Sequence, residues 1–228
     1  MGCDNLGMTD VAQVQFVSTA EELRDLIGTP SARVAGKVRT SLHQIDRQWL
    51  AASPFTLLAT SDSAGRCDVS PKGDPPGATL VLDDRTIVLA DRPGNRRVDG
   101  FLNVLTNPHV GLIFLVPGRG DTLRINGQAR LVREAPFFDD LVVKGHRPKL
   151  AMLVDVEEVF FHCSKAFLRS KLWQPNTWNE AAGNATLPSR AHIAQTLERP
   201  EDSIETLEQY YGPSYADKLY TADSSRPM

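Results

Sequence analysis

From residue 55 onward, apolar residues come in short blocks separated by turn residues, the pattern of closely spaced antiparallel strands. Residues 55–60 are β-rich, Asp62-Ser63-Ala64-Gly65 is a turn, and 66–72 is extended, which predicts a hairpin. A second hairpin joins 79–82 to 86–90 through Asp83-Asp84-Arg85. A third joins the apolar run 110–116 to 122–132 through a turn at 117–121, with Gly127 a bulge or a point of close contact. Residues 137–143 read as a short helix and 150–161 as a long last strand. Between the second and third hairpins, Val98, Phe101, Leu102 and Leu105 recur at helical spacing until Asn107-Pro108 breaks the pattern. Upstream, Thr19-Ala20-Glu21-Glu22 has capping-box spacing before Leu23, Leu26 and Ile27, with Pro30 as the stop. Leu42, Ile45, Trp49 and Leu50 predict a second helix ending at Ser53-Pro54.

Downstream of Trp173, Pro175, Asn176, Gly183, Asn184 and Pro188 mark a loop, and 189–197 and 202–211 read as short helices capped by Ser189 and Asp202. Residues 221–228 lack apolar periodicity and read as frayed, and Met1-Gly2-Cys3 as a disordered start. The expected fold is mainly β with flanking helices, a small antiparallel barrel. Its expected divisions are a helical segment at 1–50 packing on the barrel, a barrel domain at 51–173, and a carboxyl-terminal loop with short helices at 174–228.

Charge and cysteine content narrow the function classes. The 228 residues carry 25 Lys+Arg against 28 Asp+Glu, a net charge of −3, which argues against a polyanion such as nucleic acid as partner. The longest apolar run, 110–116, is closed by Pro117 and is far too short to span a membrane, so it reads as a buried strand. Cys3, Cys67 and Cys163 are scattered, without a C-x-x-C pair, so no metal site is expected and a reducing, cytoplasmic setting is. His162-Cys163, at the end of a β-rich run, reads as packing.

The stretch Leu89-Ala90-Asp91-Arg92-Pro93-Gly94-Asn95-Arg96-Arg97 carries the chemistry. It follows an apolar run, contains a turn at Arg92-Pro93-Gly94, and precedes the helical pattern, which puts Asn95 near the helix's first turn. Unpaired N–H groups, the helix dipole and two adjacent guanidinium groups would together suit a phosphate monoester. The same residues also read as an ordinary turn before a solvated basic helix end.

The order of these pieces, with Asp68-Val-Ser-Pro-Lys-Gly-Asp, Asn107-Pro and Leu123-Arg-Ile-Asn-Gly, resembles the pyridoxamine 5′-phosphate oxidase-like flavoproteins over roughly residues 49–173. Ser70-Pro71-Lys72-Gly73-Asp74, the basic stretch and His162-Cys163-Ser164-Lys165 look like a subgroup of unsettled substrate. The resemblance implies an antiparallel FMN-binding split β-barrel and a homodimer with FMN at the subunit interface. It implies that Arg96 and Arg97 hold the FMN phosphate, with Leu89, Ala90, Asp91 and Asn95 beside them. It implies that Arg66, Val69, Ser70 and Lys72 lie along the flavin ring, Lys72 near its polar edge, although a solvated strand-end lysine is the alternative. Thr122 matches a position whose polar side chain meets the ring. Lys165, Arg169 and Trp173, at i, i+4, i+8 of a short helix, match a region that completes the site from the second subunit, or else form a solvated face. The Arg-x-His element by which pyridoxamine-phosphate oxidases proper recognise their phosphate ester near the carboxyl end reads as absent, which argues against the vitamin phosphate as substrate.

The expected function is an FMN-dependent oxidoreductase acting on an unknown small organic substrate. A non-catalytic flavin- or haem-binding or sensing protein of the same fold, and a phosphate-binding module without flavin, are the alternatives. No residue stands out as a general acid or base, and no G-x-G-x-x-G marks a dinucleotide site.

Overall fold

The computed structural model describes residues 14–182 and 187–220. The chain divides into two units, one up to Lys37 and the other from Val38 onward. In the first, helices Ala20–Ile27 (α1) and Ala32–Ala35 (α2) form where the cap pattern predicts the first of them. Thr19 Oγ1 accepts from the Glu22 N–H at 3.1 Å, while the Glu22 carboxylate accepts from Ser18 N–H at 3.0 Å, one residue before the reciprocal partner of a capping box.

The second unit begins with a segment that Arg39 pins to the last strand by two backbone hydrogen bonds with Val159. Helix Gln44–Ala52 (α3) follows. The imidazole of His43 caps it by accepting from Ile45 N–H, and Asp46 closes a capping box by accepting from His43 N–H. Asp46 is buried, and Arg39 meets it with both guanidinium arms. The helix buries Asp46, Trp49 and Leu50, with Leu42 just before it; Ile45, expected on the apolar face, points to solvent.

Strands Phe55–Ser61 (β1), Cys67–Gly73 (β2), Leu80–Val81 (β3), Thr86–Ala90 (β4), His109–Leu115 (β5), Thr122–Val132 (β6) and Ala151–His162 (β7) form one sheet. Their order is β2-β1-β5-β6-β7-β4-β3, every neighbouring pair antiparallel, with β2 and β3 unjoined at the two ends. This open sheet with flanking helices is the split-barrel class. The three predicted hairpins are present, the middle one with a two-residue β3. Gly127 is both things expected of it: the β6–β7 register shifts between Asn126 and Gly127, and a Cβ there would lie 2.0 Å from the Asp155 carbonyl oxygen. Leu58, Ile87, Leu112, Phe114, Leu123, Ile125, Val154 and Val159 line the buried face, and β5 alternates between that face and a half-buried one. Trp49 joins α3 to this core, its indole N–H donating to the Phe114 carbonyl at 3.3 Å.

Helix Asp99–Thr106 (α4) lies between β4 and β5 in sequence, and the short helix expected near residue 140 is a 3₁₀ turn, Pro136–Leu141. Helix Lys165–Ser170 (α5) ends at Lys171, which has a left-handed backbone, so Trp173 is past the helix rather than on its face. Pro175–Ala182 (α6) is helical where a loop was expected, since proline is well tolerated in a first turn. Arg190–Leu197 (α7) is capped by Ser189 as predicted, and Ile204–Tyr210 (α8) by Ser203 in place of Asp202. Ala191, Ala194 and Leu207 form the small core between them, and a 3₁₀ turn, Pro213–Lys218, leads back to the sheet. The terminal readings at residues 1–3, 183–184 and 221–228 fall outside the described residues.

Candidate functional site

Strand β2, the end of β4, the loop 91–98 and the start of α4 enclose a cleft of about 1020 Å³. Strand β2 is at the sheet edge, and its period of two turns Asp68, Ser70 and Lys72 to one half-buried face. That face meets α4. Asn103 donates to Asp68 Oδ2 at 2.8 Å and to Thr60 Oγ1 at 3.0 Å, which fixes the helix against both strands. Gly100 keeps the approach open, since a Cβ there would sit 3.4 Å from Thr60 Oγ1 and 3.9 Å from Ser70 Oγ. The Lys72 ammonium lies 4.8 Å from the centre of the Phe101 ring, a cation–π contact inside the cleft wall.

The basic loop does not sit on the helix as predicted. Helix α4 begins only at Asp99, so Asn95, Arg96 and Arg97 precede it, and no intrahelical N–H of theirs is offered to a ligand. The loop is instead held by an Asx turn, Asn95 Oδ1 accepting from Arg97 N–H at 3.1 Å, and it carries backbone strain. Arg96 and Val98 both adopt positive φ, 61° and 53°. For a β-branched residue such as Val98 this is a costly conformation, on the order of 1–2 kcal/mol, and such outliers concentrate at functional sites. The strain flanks Arg97 on both sides.

Two arginines of this loop are paired very differently. Arg97 Nε donates to Asp99 at 2.7 Å in an exposed pair, with side chains 73% and 38% accessible. Arg92 Nε donates to Asp74 Oδ2 at 2.6 Å in a pair only 12% and 14% accessible, and its Nη2 donates to the Leu141 carbonyl at 2.9 Å. Asp74 also accepts from the Tyr220 hydroxyl at 2.8 Å. Between them, Asp91 has its carboxyl pushed above the usual range by burial, against Lys72, Arg92 and His146, which pull it down.

Of the residues assigned from sequence, Val69, Ser70, Lys72, Leu89, Ala90, Asp91, Asn95, Arg96 and Arg97 all line this one cleft. The other five do not line it. Arg66 is at the far end of β2, 85% accessible, its guanidinium donating to Asp62 of the hairpin turn at 2.7 Å. Thr122 is buried at the first position of β6, on the face opposite the core residues Leu123 and Ile125, and does not line the cleft. Lys165 and Arg169 are on the exposed surface of α5, and Trp173 stacks on Phe167 and donates to the Arg119 carbonyl at 2.8 Å.

The sequence reading missed Asp74, Phe101, His146 and Lys149, which line the cleft, and treated Arg92 as turn scaffolding. Lys149 was detectable only through the chain's return to β7, where Asp91 N–H donates to Leu150. The Arg-x-His element read as absent does occur, as Arg190-Ala191-His192. Arg190 there pairs with Glu198 and lies over Tyr211, away from the cleft. Cys163, expected to be buried packing, is exposed.

Among the described residues no helix is long and apolar enough to cross a membrane. No curated protein matches the sequence. Solved structures with similar folds include HupZ of Group A Streptococcus, 18% identical with TM-score 0.43, covering 53% of this chain and 93% of that one. An FMN-binding protein from Syntrophomonas wolfei is 14% identical, TM-score 0.40, covering 52% and 89%. HutZ, the heme storage protein from Vibrio cholerae, is 12% identical, TM-score 0.36, covering 53% and 93%. The sequence model for pyridoxamine 5′-phosphate oxidase matches residues 42–163, which span α3, all seven strands and the whole loop that bears the basic pair. By that match the chain belongs to the pyridoxamine 5′-phosphate oxidase family.

Proposed function

We propose that the protein is an FMN-dependent oxidoreductase acting on a small organic molecule, and that the cleft is its cofactor site. The observation that carries this reading is the strained loop: Arg96 and Arg97 are held by an Asx turn and two left-handed residues on the wall facing strand β2. A phosphate monoester suits such a place, since guanidinium–phosphate bonds are charge-assisted and Arg97 has only an exposed partner to exchange. The cleft volume, about 1020 Å³, is at the upper end of ordinary ligand pockets and leaves room for a ring system along residues 69–72. FMN, when bound, supplies hydride and electron transfer. The chain's own residues then bind and orient: Arg96 and Arg97 the phosphate, Val69 and Ser70 the ring face, Lys72 its polar edge.

The site is completed, in this proposal, by a second copy of the chain. Val69 and Val98, which line the cleft, and Leu102 and Leu105 of α4 are large apolar side chains left exposed, the kind of surface a protomer buries against its partner. Lys165, Arg169 and Trp173 would reach the partner's cleft, and light scattering is expected to give a dimer. The three scattered cysteines suit a reducing, cytoplasmic location.

The test is the double variant Arg96→Ala/Arg97→Ala. Two lost charge-assisted hydrogen bonds, roughly 1.5–3 kcal/mol each, are expected to weaken FMN binding at least about a hundredfold while circular dichroism stays that of the parent. Equilibrium dialysis with unchanged FMN affinity would remove the phosphate assignment. Bleaching of the bound flavin by a nicotinamide donor, with reoxidation on admitting an acceptor, separates turnover from storage.

A further inference from the structure

The cleft has a second cationic end that the phosphate of FMN does not use. There Arg92, His146 and Lys149 line the wall, with Lys72 and the burial-raised carboxyl of Asp91 beside them. Arg92 is clamped: Nε is spent on Asp74 and Nη2 on the Leu141 carbonyl. Its Nη1, among the described residues, is buried and makes no hydrogen bond. A buried guanidinium N–H without an acceptor is uncommon, because nearly all such donors are satisfied. Against these residues packs the chain's last described one. The Tyr220 ring lies 5.9 Å from Arg92 Cζ, 5.6 Å from the Lys144 ammonium and 6.4 Å from the His146 ring, and its hydroxyl donates to the same Asp74 that holds Arg92.

We infer that the Arg92 end of the cleft is an oxyanion subsite for the substrate's carboxylate or phosphate, and that Tyr220 is the exchangeable plug over it. The geometry favours an anion over a neutral group. Arg92 and Asp74 cancel as an ion pair, which leaves Lys72, Lys144 and Lys149 against Asp91 alone. A planar guanidinium fixed at two of its nitrogens offers the third in one direction, which is how arginine recognises an oxyanion with little entropy loss. Among the described residues Tyr220 is held by one hydroxyl bond and weak cation–π contacts, so an arriving oxyanion has little to displace. The use of this subsite for a redox substrate rests on the flavin reading above. The oxyanion binding itself does not.

The experiment uses the full chain loaded with FMN, so that the Arg96/Arg97 end is filled, and titrates it calorimetrically with inorganic phosphate and separately with benzoate. The parent is expected to bind at least one of them with millimolar affinity. Tyr220→Ala, which removes the plug and leaves the sheet untouched, is expected to tighten that binding at least threefold, and Lys149→Ala to weaken it at least threefold. Phosphate alone binding names a phosphate ester as substrate class, and benzoate alone a carboxylic acid. Neither probe binding to Tyr220→Ala, or Tyr220→Ala binding no tighter than the parent, overturns the subsite. If the chain takes up no FMN, the flavin reading fails by itself, and the same titrations on Arg96→Ala/Arg97→Ala protein decide the subsite alone.

Discussion

Two Arg–Asp pairs, Arg92–Asp74 and Arg97–Asp99, bracket the same short loop, and almost everything about them differs except their chemistry. Arg97 and Asp99 are two residues apart in sequence, largely in water, on a strained turn. Arg92 and Asp74 come from separate elements and are nearly removed from water, with every oxygen of the carboxylate engaged. An exposed pair contributes about 0–1 kcal/mol and gives way readily to a better anion. A buried one is costly to break, because the surviving charge stays desolvated. One pair is thus built to be exchanged for a ligand and the other to hold the wall that the ligand meets.

The comparison is most directly broken by deleting each arginine. Arg92→Ala is expected to cost about 3–5 kcal/mol by stranding Asp74, read as a large fall in the denaturation midpoint. Arg97→Ala is expected to change stability by less than about 0.5 kcal/mol while weakening FMN about tenfold or more. Similar stability losses in the two variants would erase the distinction. Of smaller effect is Lys72→Met, between the two pairs in the cleft. Removing a cation from the ring's polar edge acts on the charged reduced flavin more than on the oxidised form, lowering the midpoint by on the order of 30 mV, about 1.4 kcal/mol for two electrons. Potentiometry on flavin-loaded variant with an unchanged midpoint would return Lys72 to a packing role over Phe101.

The smallest effect is on pH dependence. Burial raises the folded-state pKa of Asp91, so the folded chain holds its proton more tightly than the unfolded chain, and stability declines as pH rises out of the ordinary carboxylate range. Asp91→Asn is therefore expected to be more stable than the parent at neutral pH, with the gain vanishing below about pH 3.9, where both states are protonated. A gain that persists at pH 3, followed by urea midpoints, would show that the carboxyl group's titration is not its source.

Local pattern was sufficient for the strands, because alternation and turn residues are properties of neighbours along the chain: 55–60, 86–90 and 122–132 were legible, and Gly127 announced its bulge. It also singled out the nine-residue basic stretch, since adjacent arginines after a Pro-Gly turn are visible without any fold. Helix ends were less secure. Val98 continued the apolar period, yet its left-handed backbone delays α4 until Asp99, because the loop's closure against β2 outweighs local preference. What only the tertiary structure decided is which charges are spent. Arg92 meets Asp74 across 18 residues and Asp74 meets Tyr220 across 146, and no spacing rule reports a pairing whose energy comes from shared burial. Arg66 and Thr122 sit in matching sequence positions but outside the cleft, one claimed by Asp62 in the turn and the other buried at the start of β6.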